Sequence, residues 1–352
     1  ATTFWKLLHT AATLPSADVY HCVCTGYAGL LGALASRLND VPLFLSEHGV
    51  YLKERIEDIR KSTWLAAHPG LTAPFDGDLG TFKELWIGFF NLLCRSAYTQ
   101  ASHVTALFQG NARVQIEFGA PAERVAIIPN GIDTTRFADI AREKLQQQAP
   151  ADGRVTVGFL GRVVPIKDVK TLLRAARLVL KTHPETSFLL AGPTDEDPEY
   201  FEECLALAAQ LGISQSVEFP GRMKPDDFLR RSNIVILTSI SEGLPFAVLE
   251  ASAAGLPVVS TDVGACREMI ADQLPSHPTL GPSGIVTEVA NPASTAAALN
   301  QLVGNADLRF EQGMNGLRRV QSAYRQEDIV ARYHQLYQAL AARSNQRIPA
   351  AH

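Results

Sequence analysis

The chain has 352 residues and a mass of 38.2 kDa, which at about 150 residues per domain points to two domains. Hydrophobic residues make up 46% and charged residues 19%, below the roughly 25% charged of an average soluble protein, which excludes a disordered chain. A net charge of -4 and a pI of about 6.2 exclude a strong pull toward nucleic acid or an anionic membrane. The longest apolar runs, such as 234–237, are strand-sized and far short of the roughly 20 residues of a membrane span. These are the marks of a soluble α/β enzyme.

The chain opens at Ala1 without an initiator Met or a signal segment. Residues 4–10 read as a helix already under way, so further residues are expected upstream. Strands are predicted at 19–24, 42–45, 103–107 and 125–128, with helices at 30–38 and 82–96 between them. Five cysteines, an odd number, make no disulfide framework. Cys22 and Cys24 share one strand face and His21 takes the other, which favours reduced thiols over a zinc site.

The polar stretch 141–153 ends in a turn with Pro and Gly and reads as an interdomain connection. A second series follows, with strands at 155–160, 187–191, 217–219, 234–237, 257–260 and 284–286. Its helices are predicted at 169–182, 199–211, 225–231, 246–254 and 294–303. Strands alternating with helices imply parallel sheets covered on both faces, and this series is long enough for one complete doubly wound domain. In 327–343 the apolar residues Ile329, Val330, Tyr333, Leu336 and Tyr337 keep a helical period; 345–352 reads as a frayed tail. The predicted partition is a first domain over 1–140, the connection 141–153, a second domain over 154–322, and a final helix and tail over 323–352.

Chemistry is expected at the carboxyl ends of the strands. Strand 234–237 runs into Glu242, Gly243, Leu244, Pro245 and Phe246, and a helix starts near Pro245, which suits the first helical position. Free amides there favour an anion such as a diphosphate. Glu250 lies one turn beyond Phe246, and two carboxylates around such a loop suit the hydroxyls of a ribose and a sugar. The plainer reading is a helix cap with one solvated Glu. Strand 155–160 is followed by a tight loop that carries Arg162 and Lys167, a guanidinium fork and a point charge able to neutralise a diphosphate. Two solvated loop cations are the plainer reading.

The GR…K loop followed by E-x7-E resembles the retaining nucleotide-sugar glycosyltransferases of family GT4, which have the GT-B fold. The segments Ile128-Pro-Asn130-Gly131-Ile-Asp133 and Val217-Glu-Phe-Pro-Gly221-Arg222 match as well, and the resemblance covers nearly the whole chain. The runs around Gly26, Ser46-Glu47-His48-Gly49 and Gly192-Pro-Thr-Asp-Glu-Asp197 are similar to the cytosolic glycosyltransferases of Pel exopolysaccharide synthesis. The resemblance implies two Rossmann-like domains facing across a cleft, the first one truncated. A strand and a Gly-rich loop that usually open that domain are not found. By the same resemblance Arg162 and Lys167 hold the diphosphate, Glu250 the ribose, and Glu242 the donor sugar. The amides of Gly243, Leu244, Pro245's neighbours and Phe246 touch sugar and phosphates. Arg222 and Met223 line the base pocket, and His48 faces the donor sugar; a histidine capping a strand end is the plainer reading of His48.

Two signals are set aside. Gly26, Gly29 and Gly32 have the spacing G-x-x-G-x-x-G rather than that of a dinucleotide loop, and are expected to serve close helix packing. Asp195-Glu196-Asp197 has the look of a metal-binding D-x-D, but the resembled family uses Arg and Lys instead, and a solvated acidic loop is expected. The resemblance thus implies transfer of a hexosyl unit from a UDP-sugar to a growing exopolysaccharide with retention, with no cofactor and no metal. It also implies an inner-membrane polysaccharide synthase complex as partner, and a cytoplasmic protein peripheral to that membrane. Rival expectations are a UDP-sugar 2-epimerase on a similar fold and a nucleotide-sugar-binding component without turnover.

Overall fold

The computed structural model describes residues 2–62, 79–146, 153–274 and 278–345. The chain divides into two compact units, Ala1–Pro129 with Ala331–His352, and Asn130–Val330. Each is built on a parallel sheet.

In the first unit β1 (Tyr20–Cys22), β2 (Leu43–Glu47), β3 (His103–Ala106) and β4 (Val125–Ile127) lie side by side in chain order, all parallel. Strand β2 is buried along its whole length, as a parallel strand covered on both faces must be. Helix Gly26–Asn39 packs on helix Leu79–Gln100 and on the sheet. The expected role of the glycines holds: a Cβ on Gly29 would stand 2.9 Å from that of Ala97, and one on Gly32 would stand 2.4 Å from Cys22 Sγ. Helices Tyr51–Lys61 and Gln109–Glu117, not anticipated from the sequence, complete the cover. The C-terminal helix Gln326–Asn345 returns to this unit. Its Tyr337 hydroxyl lies 2.7 Å from Nδ1 of His21, whose ring stacks on Phe44 at 4.2 Å.

Glu47, at the end of β2, is buried, and among the described residues no ion pair involves it. One carboxylate oxygen accepts from the Thr25 amide at 3.3 Å and its hydroxyl at 2.8 Å; the other accepts from the Tyr98 hydroxyl at 2.5 Å and Gln115 Nε2 at 3.1 Å. Four donors converge on the two carboxylate oxygens, which accept from all of them. Burial beside Glu47 also pushes the Tyr98 phenol far up. A Glu47→Gln substitution turns an amide donor toward these donors. We expect it to destabilise the chain by about 2–4 kcal/mol, since each buried donor left unmatched costs about 1–3. Urea unfolding checks this; an unchanged midpoint would refute the hub.

The second unit holds β5 (Thr156–Leu160), β6 (Ser187–Ala191), β7 (Val217–Gly221), β8 (Ile234–Leu237), β9 (Val258–Thr261) and β10 (Gly284–Thr287). Their order is β10-β9-β8-β5-β6-β7, every pair parallel. Read from β7, this is the doubly wound 3-2-1-4-5-6 order, in which the order of strand addition reverses between β5 and β8. Central β8, Ile-Val-Ile-Leu, is wholly buried, whereas edge strand β7 alternates and tolerates Pro220. Phe159, Phe188, Leu172 and Leu299 anchor the core between sheet and helices.

Two expected boundaries differ. Residues 141–146 of the predicted connection belong to helix Ala138–Gln146, which buries Ile140 and Ala141 in the second unit. Lys144 Nζ donates to the carbonyls of Arg230 and Ser232 at 2.6 and 2.7 Å, so its charge closes the end of a neighbouring helix instead of facing water. The rest of the connection, 147–152, lies outside the described residues. The C-terminal helix starts at Gln326, and its residues from Ala331 belong to the first unit.

Candidate functional site

In a doubly wound sheet ligands bind where the strand order reverses, outside the carboxyl ends. Here that point is flanked by the loops after β5 and β8. The β5 loop leaves through Gly161, buries Val163, and makes one tight turn over Pro165–Lys167. Asp168 ends the turn with a φ of 45° and caps helix Val169–Thr182 by accepting from the Thr171 amide at 3.2 Å. The β8 loop is bonded directly onto it. Thr238 Oγ1 donates to the Lys167 carbonyl at 3.0 Å, and the Ile240 amide to that of Ile166 at 2.8 Å. Thr261 Oγ1, from the end of β9, holds the Ser239 carbonyl at 2.7 Å.

This lacing fixes the side chains. Lys167 Nζ lies 2.5 Å from Glu242 Oε1, and Ser239 Oγ donates to the same oxygen at 2.6 Å. The two charged side chains are only 20% and 11% exposed, so each relies on the other more than a surface pair would. They line a cavity of about 290 Å³ together with Phe159, Ser239, Leu244, Pro245 and Phe246. Helix Phe246–Ala253 begins at this wall. Pro245 is its cap, extended at φ -73° and ψ 123°, and not its first helical residue as expected.

The structure therefore brings Lys167, Glu242, Leu244, Pro245 and Phe246 into one cavity wall, and leaves other expected residues outside it. Arg162 is exposed, and its Nη1 donates to Glu196 at 2.8 Å. Arg222 reaches Asp195 at 3.2 Å, and Met223 is half-buried in the loop after β7. Gly243 contributes its carbonyl, which accepts from the Ala265 amide at 2.8 Å. Glu250 is half-buried farther along the helix. Burial pushes its carboxyl above the usual range; Arg136 pulls it back and Asp226 adds to the rise. Arg136 and Asp226 are themselves joined at 2.7 Å. His48 is an exposed residue of the first unit, after β2, with its carbonyl held by Asn111 Nδ2 at 3.2 Å.

Sequence reasoning missed Gly264. Its φ is 54°, and a Cβ there would come within 2.3 Å of the carbonyls of Glu242 and Gly243. It is the floor on which the Glu242 loop rests, and its only local signal is a glycine just after β9. Among the described residues no three His, Cys, Asp or Glu side chains are grouped to hold a metal ion.

Two parallel α/β units in one chain, one of them doubly wound with this wall at its switch point, are the parts of the GT-B class of fold, and solved structures agree. Anabaena HepE in complex with UDP superposes with a TM-score of 0.69 at 20% identity, covering 95% of this chain and 81% of that one. Sucrose-phosphate synthase from Thermosynechococcus elongatus gives 0.70 at 19% identity, covering 96% and 77%. Residues 141–319 match the family described as glycosyl transferases group 1, and the chain belongs to that family. Residues 1–123 match a domain of unknown function (DUF3492). D-inositol 3-phosphate glycosyltransferase of Acidothermus cellulolyticus is 28% identical over 286 residues, 78% of this chain and 57% of that protein. Its namesake from Corynebacterium jeikeium is 32% identical over 199 residues, 54% and 46%. The chain spans about half the length of the curated relatives it matches.

Proposed function

We propose that the chain is a retaining, UDP-sugar-dependent glycosyltransferase of the GT4 type. It transfers a hexosyl unit to a growing exopolysaccharide, on the pattern of PelF of Pel synthesis. The observation that carries the reading is the Lys167–Glu242 pair facing a cavity at the switch point of a doubly wound sheet. In the pair each charge neutralises the other. A nucleotide sugar offers Lys167 its diphosphate and Glu242 its sugar hydroxyls, so the pair exchanges one partner for two. Amides at the start of helix Phe246–Ala253 add partial positive charge where the leaving diphosphate gathers negative charge. Arg162 adds a second cation, Glu250 accepts from the ribose, and Arg222 and Met223 border the base. That HepE was solved with UDP, and also with UDP-glucose, supports a uridine donor.

In this reading no metal is needed, because Lys167 and Arg162 supply the charge. The acceptor is a polysaccharide, handed on by an inner-membrane synthase complex to which a cytoplasmic protein binds peripherally. Among the described residues no helix is long and apolar enough to cross a membrane.

Calorimetric titration with UDP, ADP and GDP, without metal and beside Glu250→Ala, tests the proposal. Selective UDP binding that the substitution weakens about tenfold or more is expected, since a hydrogen bond to a charged group contributes about 1.5–3 kcal/mol. Unchanged UDP affinity in the variant would sink the ribose assignment. The raised Glu250 carboxyl adds a pH signature. Ribose hydroxyls donate to its ionised form, so affinity falls as the pH drops through a folded-state value above the usual carboxylate range. Glu250→Gln should lack that component, which separates it from titration of the nucleotide's own phosphate.

A further inference from the structure

Strands β5, β6 and β7 are neighbours; Gly161 and Gly192 directly follow β5 and β6, and Gly221 ends β7. Gly161 and Gly221 are each followed by an arginine, whereas the middle loop carries Asp195, Glu196 and Asp197. The three loops are stitched together. The Gly161 amide donates to Ala191 at 2.9 Å, that of Val163 to Pro193 at 2.9 Å, and that of Gly192 to Gly221 at 2.8 Å. At its far end the acidic loop is pinned by Asp197, which caps helix Pro198–Gln210 by accepting from the Tyr200 amide at 3.0 Å. Between these anchors Glu196 Oε2 takes Nη1 of Arg162 at 2.8 Å, on one side. On the other, Asp195 takes Nη2 of Arg222 at 3.2 and 3.3 Å. The expected solvated loop is thus exposed but engaged, with one carboxylate committed to the arginine on each side.

We infer that Glu196 is a positioning residue for Arg162, holding its guanidinium by one nitrogen so that the rest of the fork is presented to the donor's diphosphate. Asp195 steadies Arg222 on the opposite side in the same way. The inference rests on the reading of Arg162 as a diphosphate ligand. A guanidinium has five donors in a rigid plane, and a carboxylate on Nη1 leaves the other edge able to meet two phosphate oxygens. A free arginine side chain loses rotamer freedom on binding; here the fixed loop has removed part of that loss beforehand.

Titration of the whole chain with UDP and with uridine, which lacks the phosphates, tests it. Glu196→Ala should weaken UDP about three- to fivefold, the scale of a partly exposed ion pair, and leave uridine unchanged. Glu196→Gln, whose amide oxygen still accepts from Nη1, should restore most of the loss. In an Arg162→Ala background Glu196→Ala should have no further effect. Unchanged or tighter UDP binding by Glu196→Ala, or an equal loss for uridine, overturns the positioning role while leaving the donor site standing. If Arg162→Ala itself binds UDP as the parent does, the reading of Arg162 as a diphosphate ligand falls and this inference with it; if the parent does not bind UDP, the donor reading falls as well.

Discussion

Replacing Lys167 by alanine is expected to lower sugar-transfer turnover by at least about 100-fold, the scale on which losing one group that stabilises transition-state charge registers. Nucleotide affinity should fall less, because the diphosphate gathers most of its charge as the sugar leaves. Nothing else in the cavity wall can take over: the other lining residues are Glu242, Ser239 and apolar side chains. Arg162, held by Glu196 outside that wall, remains in the variant as the second cation and accounts for the turnover that should survive. The substitution also leaves Glu242, 11% exposed, with Ser239 Oγ as its remaining donor. That should cost about 1–3 kcal/mol of stability, visible as a lower unfolding midpoint. Because the two residues act as a unit, Lys167→Ala with Glu242→Ala should lose much less stability than the sum of the single losses. Donor-dependent UDP release and thermal unfolding of the three variants make the check. Turnover within about twofold of the parent would remove Lys167 from the diphosphate site.

How much of this was legible beforehand depends on how local the determining forces are. Strand β8 could be read because four consecutive apolar residues leave no other economical placement, and helix Val169–Thr182 because its buried residues recur at helical spacing. Those two elements bracket the switch point, so the place of the site followed. Lys167 and Glu242 were singled out separately; that they meet depends on backbone bonds between two loops 75 residues apart, which no local pattern encodes. Glu47 was not singled out, because nothing in its local sequence marks it as a point where buried donors converge. Its four donors come from three distant segments. Helix Ala138–Gln146 was hidden for a related reason: its composition is polar, and only Ile140 and Ala141 record that one face is buried. Arg162 was expected beside Lys167 from their shared loop, yet the tight turn between them sends one to the cavity and the other to Glu196.

The second large effect is expected from one methyl group on Gly192. Its φ of 150° lies where side chains are rarely tolerated, and a Cβ would stand 1.8 Å from the Gly161 carbonyl oxygen. That neighbour is backbone and cannot rotate away. The loops after β5 and β6 must separate, with loss of the bonds that tie Gly161 to Ala191 and Val163 to Pro193. Backbone strain of about 1–3 kcal/mol and overpacking of about 1–3 kcal/mol together predict a destabilisation of about 2–6 kcal/mol for Gly192→Ala. In the fraction that stays folded, Arg162 is displaced from both Glu196 and the donor, so UDP affinity should drop while uridine affinity drops less. Gly212 supplies the comparison: its φ of 67° is also left-handed, but a Cβ there meets nothing within 4 Å. Gly212→Ala should cost only the conformational penalty of about 1–2 kcal/mol and leave UDP binding unchanged. Unfolding midpoints and titrations of the two variants decide the matter. Equal losses would mean that backbone conformation alone matters at Gly192, and that the contact between the β5 and β6 loops does not hold the donor site together.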